Sequence, residues 1–332
     1  MRIGYQASHE QFSPGSLLRL AKLAEEAGFD FINSSDHFKP WNENQGHSGF
    51  SFAWLGAAMQ CTSLPFSMVC APGQRYHPAI VAQAIATLAE MFPGRFEVAL
   101  GSGEAINEQV TGGIWPAKPE RNQRLLECAQ IIKRLLRGET INHDGVVKVR
   151  DARLYTLPQI QPPLYCAALS PETAAWAGRW ADGLLTAHQP IEHLKKVIHA
   201  FRSNGGKAKP IILKVQLSYA STEQQALAGA CEQWSTNIFD SHVLSDTRTP
   251  ADFEQMALHV KPQDMYDHVH ISAHKDEFIK IIRSYSELDV SDLILHNVNL
   301  GQERFIEDFG RYIIPELKEG FKVENLSHAK HQ

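Results

Sequence analysis

None of the five cysteines (Cys61, Cys70, Cys128, Cys166 and Cys231) stands in a C-x-x-C pair. Neither a disulfide framework nor a cysteine zinc site is expected. No run of Lys or Arg occurs, and the formal charge is −5. Both argue against a nucleic-acid partner. No apolar run is long enough to span a bilayer, so no membrane partner is expected either. The opening residues, Met1-Arg2-Ile3-Gly4-Tyr5-Gln6, contain no apolar signal region. A cytoplasmic protein is the default expectation. No G-x-G-x-x-G opens the first helix, which counts against a doubly wound dinucleotide fold. No internal repeat or low-complexity stretch is evident.

What is present is a large core. Of 332 residues, 43% are hydrophobic. Two ordinary domains would fit, but α/β barrels run this long as one. Short apolar stretches recur with helical patterns between them. The strands are expected at Arg2 to Ala7, Phe29 to Asn33, Phe66 to Cys70, Phe96 to Leu100, Leu164 to Ala167, Gly183 to Thr186, Ile211 to Tyr219 and Asp292 to His296. Ser13-Pro14 and Ser170-Pro171 are helix starts, each a cap followed by proline. Asp144-Gly145 suggests a two-residue hairpin turn. Eight strands alternating with helices is the count for a (β/α)8 TIM barrel. The reading is one barrel domain over 1–320, an insertion near 232–262, and a polar tail at 321–332.

In such a barrel every strand C-terminus faces one mouth, and chemistry collects there. Strand two delivers Asp36, His37 and Trp41. Strand three delivers Met68, Val69 and Cys70. Strand four delivers Gly101, Ser102, Gly103 and Glu104, with Asn107 and Glu108 a turn later. Strand five delivers Ala168, Leu169 and Ser170. An imidazole suits proton transfer near neutral pH. Missing side chains at the glycines let a flat ring approach the backbone. The free N–H groups of a helix start at Ser170 suit a phosphate. Each has a plainer use as a turn, a cap or a surface histidine. His268, His270 and His274 lack an acid ligand at metal spacing, so no metal site is expected. His296, on an apolar strand, is read first as a core histidine.

Asp36-His37-Phe38-Lys39-Pro40-Trp41, with Gly46-His47 after it, resembles the second-strand signature of the luciferase-like oxidoreductase superfamily. Gly101-Ser102-Gly103-Glu104-Ala105-Ile106-Asn107-Glu108, Arg75-Tyr76-His77-Pro78 and the stretch from Ala177 to Gly183 are similar to its deazaflavin (F-420) dependent branch, including the glucose-6-phosphate dehydrogenases. The resemblance runs to about residue 318. It implies a barrel with an insertion, a homodimer, and a flavin-like ring in the mouth. It implies His37 as the base on the substrate hydroxyl, Glu104 as the acid beside the ring, and Trp41 near the reacting centre. Asp36, Met68, Val69, Gly103 and Asn107 would line the cofactor, and the Met68–Val69 bond would be cis. Two departures stand out. Leu169-Ser170 replaces a glycine pair, and Thr186-Ala187-His188-Gln189-Pro190 has no lysine where the dehydrogenases hold the sugar phosphate. A subfamily of this branch is thought to use an ordinary flavin, and the chain looks like it. The expectation is therefore an FMN-dependent oxidoreductase acting on a small organic molecule by hydride transfer. The alternatives are an F-420 dehydrogenase, an FMN monooxygenase using oxygen, a non-catalytic flavin-binding protein and a metal-dependent barrel hydrolase.

Overall fold

The computed structural model describes residues 1–319; the polar tail expected at 321–332 lies outside them. The strands are β1 (Arg2–Ala7), β2 (Phe31–Ser34), β3 (Phe66–Cys70), β4 (Phe96–Leu100), β5 (Ile141–Asp144), β6 (Lys148–Ala152), β7 (Leu164–Ala167), β8 (Leu184–Ala187), β9 (Ile211–Tyr219), β10 (His270–Ser272) and β11 (Asp292–Asn297). All except the β5–β6 hairpin belong to one parallel sheet, in the order β10-β9-β11-β1-β2-β3-β4-β7-β8. A further β8–β9 pairing closes it into an eight-stranded barrel. β10 is an additional short strand on β9. The helices are α1 (Pro14–Glu26), α2 (Ser51–Cys61), α3 (Pro78–Met91), α4 (Ala105–Glu108), α5 (Lys118–Leu136), α6 (Pro171–Gly178), α7 (Ile191–Phe201), α8 (Glu223–Trp234), α9 (Ser241–Asp246), α10 (Pro250–Ala257), α11 (Lys275–Ser286) and α12 (Gln302–Asp308). No described helix is long and apolar enough to cross a membrane.

The caps explain where helices begin. Ser13 Oγ accepts the Ser16 N–H and Ser170 Oγ the Thr173 N–H, each with proline at the first helical turn. Strand alternation then sorts side chains. One face of each strand packs against the helices in the main core. The other fills the barrel in tiers. At the N-terminal end Arg2 pairs with Asp292 at 2.8 Å and with Glu97 at 3.3 Å. Above lies an apolar plug of Phe31, Ala99, Tyr165, Leu185, Ile212 and Ile294. A Cβ at Gly4 would run into the Phe31 ring, so glycine is what lets that ring fill the axis. Towards the mouth the tiers turn polar. Asn33 donates to Gln6 at 2.7 Å and Ser67 donates to Asn33 at 2.8 Å.

Three elements differ from the sequence reading. Glu223–Trp234 is a helix that its weak apolar pattern concealed: it buries the short-chained Ala226 and Ala230, and Gln233. β10 is only three residues long, too short for periodicity to show. The hairpin pairs Asp144 with Lys148, so three residues connect its strands rather than the expected Asp144-Gly145 pair. Residues 232–262, expected to be an irregular and partly helical insertion, do carry short helices including α9 and α10.

Candidate active site

His37 follows β2 and stands between two carboxylates. Its Nδ1 lies 3.1 Å from Glu10 Oε1 and its Nε2 lies 3.6 Å from Glu104 Oε2. The Glu10 contact is close but off the hydrogen-bonding axis. The His37 side chain is 18% exposed and that of Glu104 33%, against 5% for Glu10, so the first two are the ones a ligand reaches. Trp41 meets the His37 ring edge-on at 4.9 Å and is backed by Phe253 of α10 at 5.2 Å. The insertion thus supplies a wall of the site.

Glu10 was missing from the sequence reading. It is buried in the loop after β1, where Ser8 and Ser35 hydroxyls donate to its Oε2 at 2.8 and 2.7 Å. Burial pushes its carboxyl up, but the charge of His37 and these hydroxyls outweigh that and hold it down to about 2. Glu104 goes the other way: burial raises it, only partly offset by His37. Asn107 joins the two motif loops. Its Oδ1 accepts the Phe38 and Lys39 N–H groups at 2.9 and 3.3 Å, and its Nδ2 donates to Glu104 at 3.2 Å.

Asp36 is engaged elsewhere. Arg75 Nη2 donates to its carboxylate and to its carbonyl, both at 2.9 Å, and the Tyr76 hydroxyl donates at 3.0 Å. Its side chain is fully enclosed by these partners rather than open to a ligand. Two further expectations need correction. Met68 does not line the mouth; it is buried between sheet and helices, because neighbouring strand residues face opposite ways, and only Val69 faces inward. The Met68–Val69 bond is not cis, and no cis bond occurs among the described residues. β3 keeps regular register with β4 through Val69↔Ala99 and Cys70↔Leu100, which leaves no bulge there.

Gly103 has φ of +84°, and a Cβ there would lie 2.8 Å from Glu108 Cγ. Gly103→Ala is expected to lower stability by about 1–2 kcal/mol through the left-handed backbone alone, with the clash added. An unchanged urea midpoint would show that the loop relaxes freely.

The mouth floor fits a flat ring. Val69, Gly101, Ala167 and Ala187 bring small side chains to the ends of four adjacent strands. A Cβ at Gly101 would meet nothing nearer than Ala167 at 3.9 Å. Beside this floor stands Lys214, which the sequence reading also missed. The signal was the alternation in β9, where Ile212, Lys214, Gln216 and Ser218 share one face.

After β7 Ser170 caps α6 and Leu169 is 40% exposed. The Leu169 carbonyl accepts from Gln189 at 3.1 Å and lies 3.2 Å from His193 Nε2. A cavity of about 580 Å³ opens here between α5 and α6, lined by Lys118, Asn122, Ser170, Glu172, Thr173 and Trp176 among others. Arg179 sits at the opposite end of α6. Of the three clustered histidines, only His270 finds a polar partner in the core: Tyr285 OH lies 2.7 Å from both His270 Nε2 and His188 Nδ1. Among the described residues no group of three or more His, Cys, Asp or Glu is placed to hold a metal. His296 is buried against Trp234, with ring centroids 4.8 Å apart.

These side chains gather at the mouth of a (β/α)8 barrel, an imidazole between two carboxylates beside a floor of small residues. Residues 1–292 match the family model for luciferase-like monooxygenases, and the chain belongs to that luciferase-like family. It is 33% identical to an F420-dependent glucose-6-phosphate dehydrogenase of Microbacterium testaceum, over 97% of this chain and 98% of that one. A solved F420-dependent secondary alcohol dehydrogenase, in complex with an F420–acetone adduct, superposes with TM-score 0.88 at 30% identity, covering 95% of this chain and 98% of that one. An FMN complex of a Baeyer–Villiger monooxygenase component from Pseudomonas putida reaches 0.71 at 15% identity over 96% of this chain and 99% of that one, a likeness of fold alone.

Proposed function

We propose that the protein is an FMN-dependent oxidoreductase that passes hydride between a small alcohol or carbonyl substrate and the ring. When bound, the ring supplies the hydride chemistry. The observation that carries the reading is His37, reachable from the mouth and set between Glu10 and Glu104 above a small-residue floor. His37 takes the hydroxyl proton of the substrate, and Glu10, held ionised, steadies the charged imidazole. Glu104, raised by burial, is suited to keep and give a proton. Trp41 limits how the substrate can lie. Val69, Gly101 and Gly103 would face the ring, and Asn107 keeps the two loops in register.

The full-length relatives are named as F420-dependent, and that favours the deazaflavin as second reading. FMN is supported by the phosphate end. The cavity beside Ser170 offers one cation, Lys118, and one acid, Glu172, in its lining. That balance suits a single phosphate at the α6 N-terminus better than the several charges of the F-420 tail. Titrating apoprotein with each cofactor and following tryptophan quenching tests this. FMN is expected to bind at least tenfold tighter, a difference of about 1.4 kcal/mol. Tighter F-420 binding would make the protein a deazaflavin dehydrogenase. Oxygen uptake during turnover would identify a monooxygenase.

A further inference from the structure

The chemistry above makes no use of Lys214. It lies in β9, in register with Ala187 of β8, and two residues beyond Ile212 of the apolar plug. Strand alternation turns its side chain into the barrel at the edge of the floor. The side-chain hydrogen bonds and ion pairs of the described residues leave its ammonium without an acceptor. Glu10 and Glu104 are near enough to favour its charge, yet their close contacts are with His37, Ser8, Ser35 and Asn107. A half-buried ammonium without an acceptor is stabilised when something negative completes it. His37 and Glu104 rise from loops beyond the strand ends, on the substrate side. Lys214 rises from within a strand, at the level of Ala187. A group lying on the floor would meet it at that level.

We propose that Lys214 tunes the cofactor: its ammonium pairs with the negative charge that reduction leaves on a ring seated on this floor. Two electrons and one proton enter with the hydride, so one negative charge remains on the ring. Lys214 forms no bond to it and keeps its own protons. The inference rests on the reading of the mouth as a ring site.

The test uses the FMN-loaded protein with Lys214→Met, Lys214→Gln and Lys214→Arg. Sulfite adds to a flavin ring and leaves the same negative charge, and its affinity is read from bleaching of the visible absorption. The neutral variants are expected to bind sulfite about tenfold more weakly and to lower the two-electron midpoint potential by about 30 mV, the equivalent of that factor. Lys214→Arg should stay within about twofold of wild type, since it keeps the charge. Neutral variants indistinguishable from wild type in both readouts would overturn the proposal. So would loss of oxalate affinity in the apoprotein with an unchanged potential, which would assign Lys214 to a substrate carboxylate. If wild type takes up F-420 but not FMN, the FMN reading fails while the potential shift with F-420 still judges Lys214. Binding of neither ring overturns both. Lys214→Gln serves if the methionine variant does not fold.

Discussion

Turnover by His37→Ala is expected to fall by about two to four orders of magnitude, the usual worth of a general base. The side chain is reachable from the mouth, and Glu10 Oε1 stands 3.1 Å behind it to stabilise the imidazolium that proton uptake creates. Removing the ring leaves Glu10 with its two serine donors, so the pocket keeps its hydrogen bonds. Cofactor affinity should therefore change little, which separates a lost proton step from a lost site. Stopped-flow reduction of the bound ring by substrate measures the step directly. Turnover close to wild type would leave the mechanism without its base.

Arg75→Met should destabilise the fold by about 3–5 kcal/mol, the range for breaking a buried ion pair from one side. The Arg75 side chain is 7% exposed and lies 2.9 Å from Asp36 and 3.6 Å from Glu108. It also lies over the Tyr76 ring at 4.3 Å. Burial already pushes Glu108 up to about 7 despite Arg75, and pushes Asp36 upward as well. Without the guanidinium both carboxyls rise further above their unfolded values. The folded variant then binds more protons than the unfolded chain at neutral pH, so its stability increases as pH falls. Urea unfolding at pH 8 and pH 5.5 should show the deficit shrinking at the lower value. A deficit of the same size at both would place the role of Arg75 in packing rather than charge.

The barrel was legible because its strands carry apolar runs bounded by turns, and Ser13-Pro14 and Ser170-Pro171 mark helix starts chemically. The placement of His37, Trp41 and Glu104 beyond β2 and β4 was legible through local motifs. Met68 shows the limit: a resemblance can give a residue pair, but strand parity decides which of the two faces the mouth. Lys214 was hidden by its apolar neighbours, although Lys214, Gln216 and Ser218 alternate along β9 as an inward polar face above Ile212 would. Glu10 gave less to read, since its importance comes from His37, 27 positions away in the chain. That proximity is created by β1 pairing with β2.

The plug of Phe31, Tyr165, Ile212 and their neighbours also governs traffic. It blocks the barrel axis beneath the floor, with the Arg2–Asp292 pair below it. A molecule on the floor and a molecule above it must use the same door. A molecule seated on the floor would have to enter before one that lies above it and leave after it, an order set by the architecture itself.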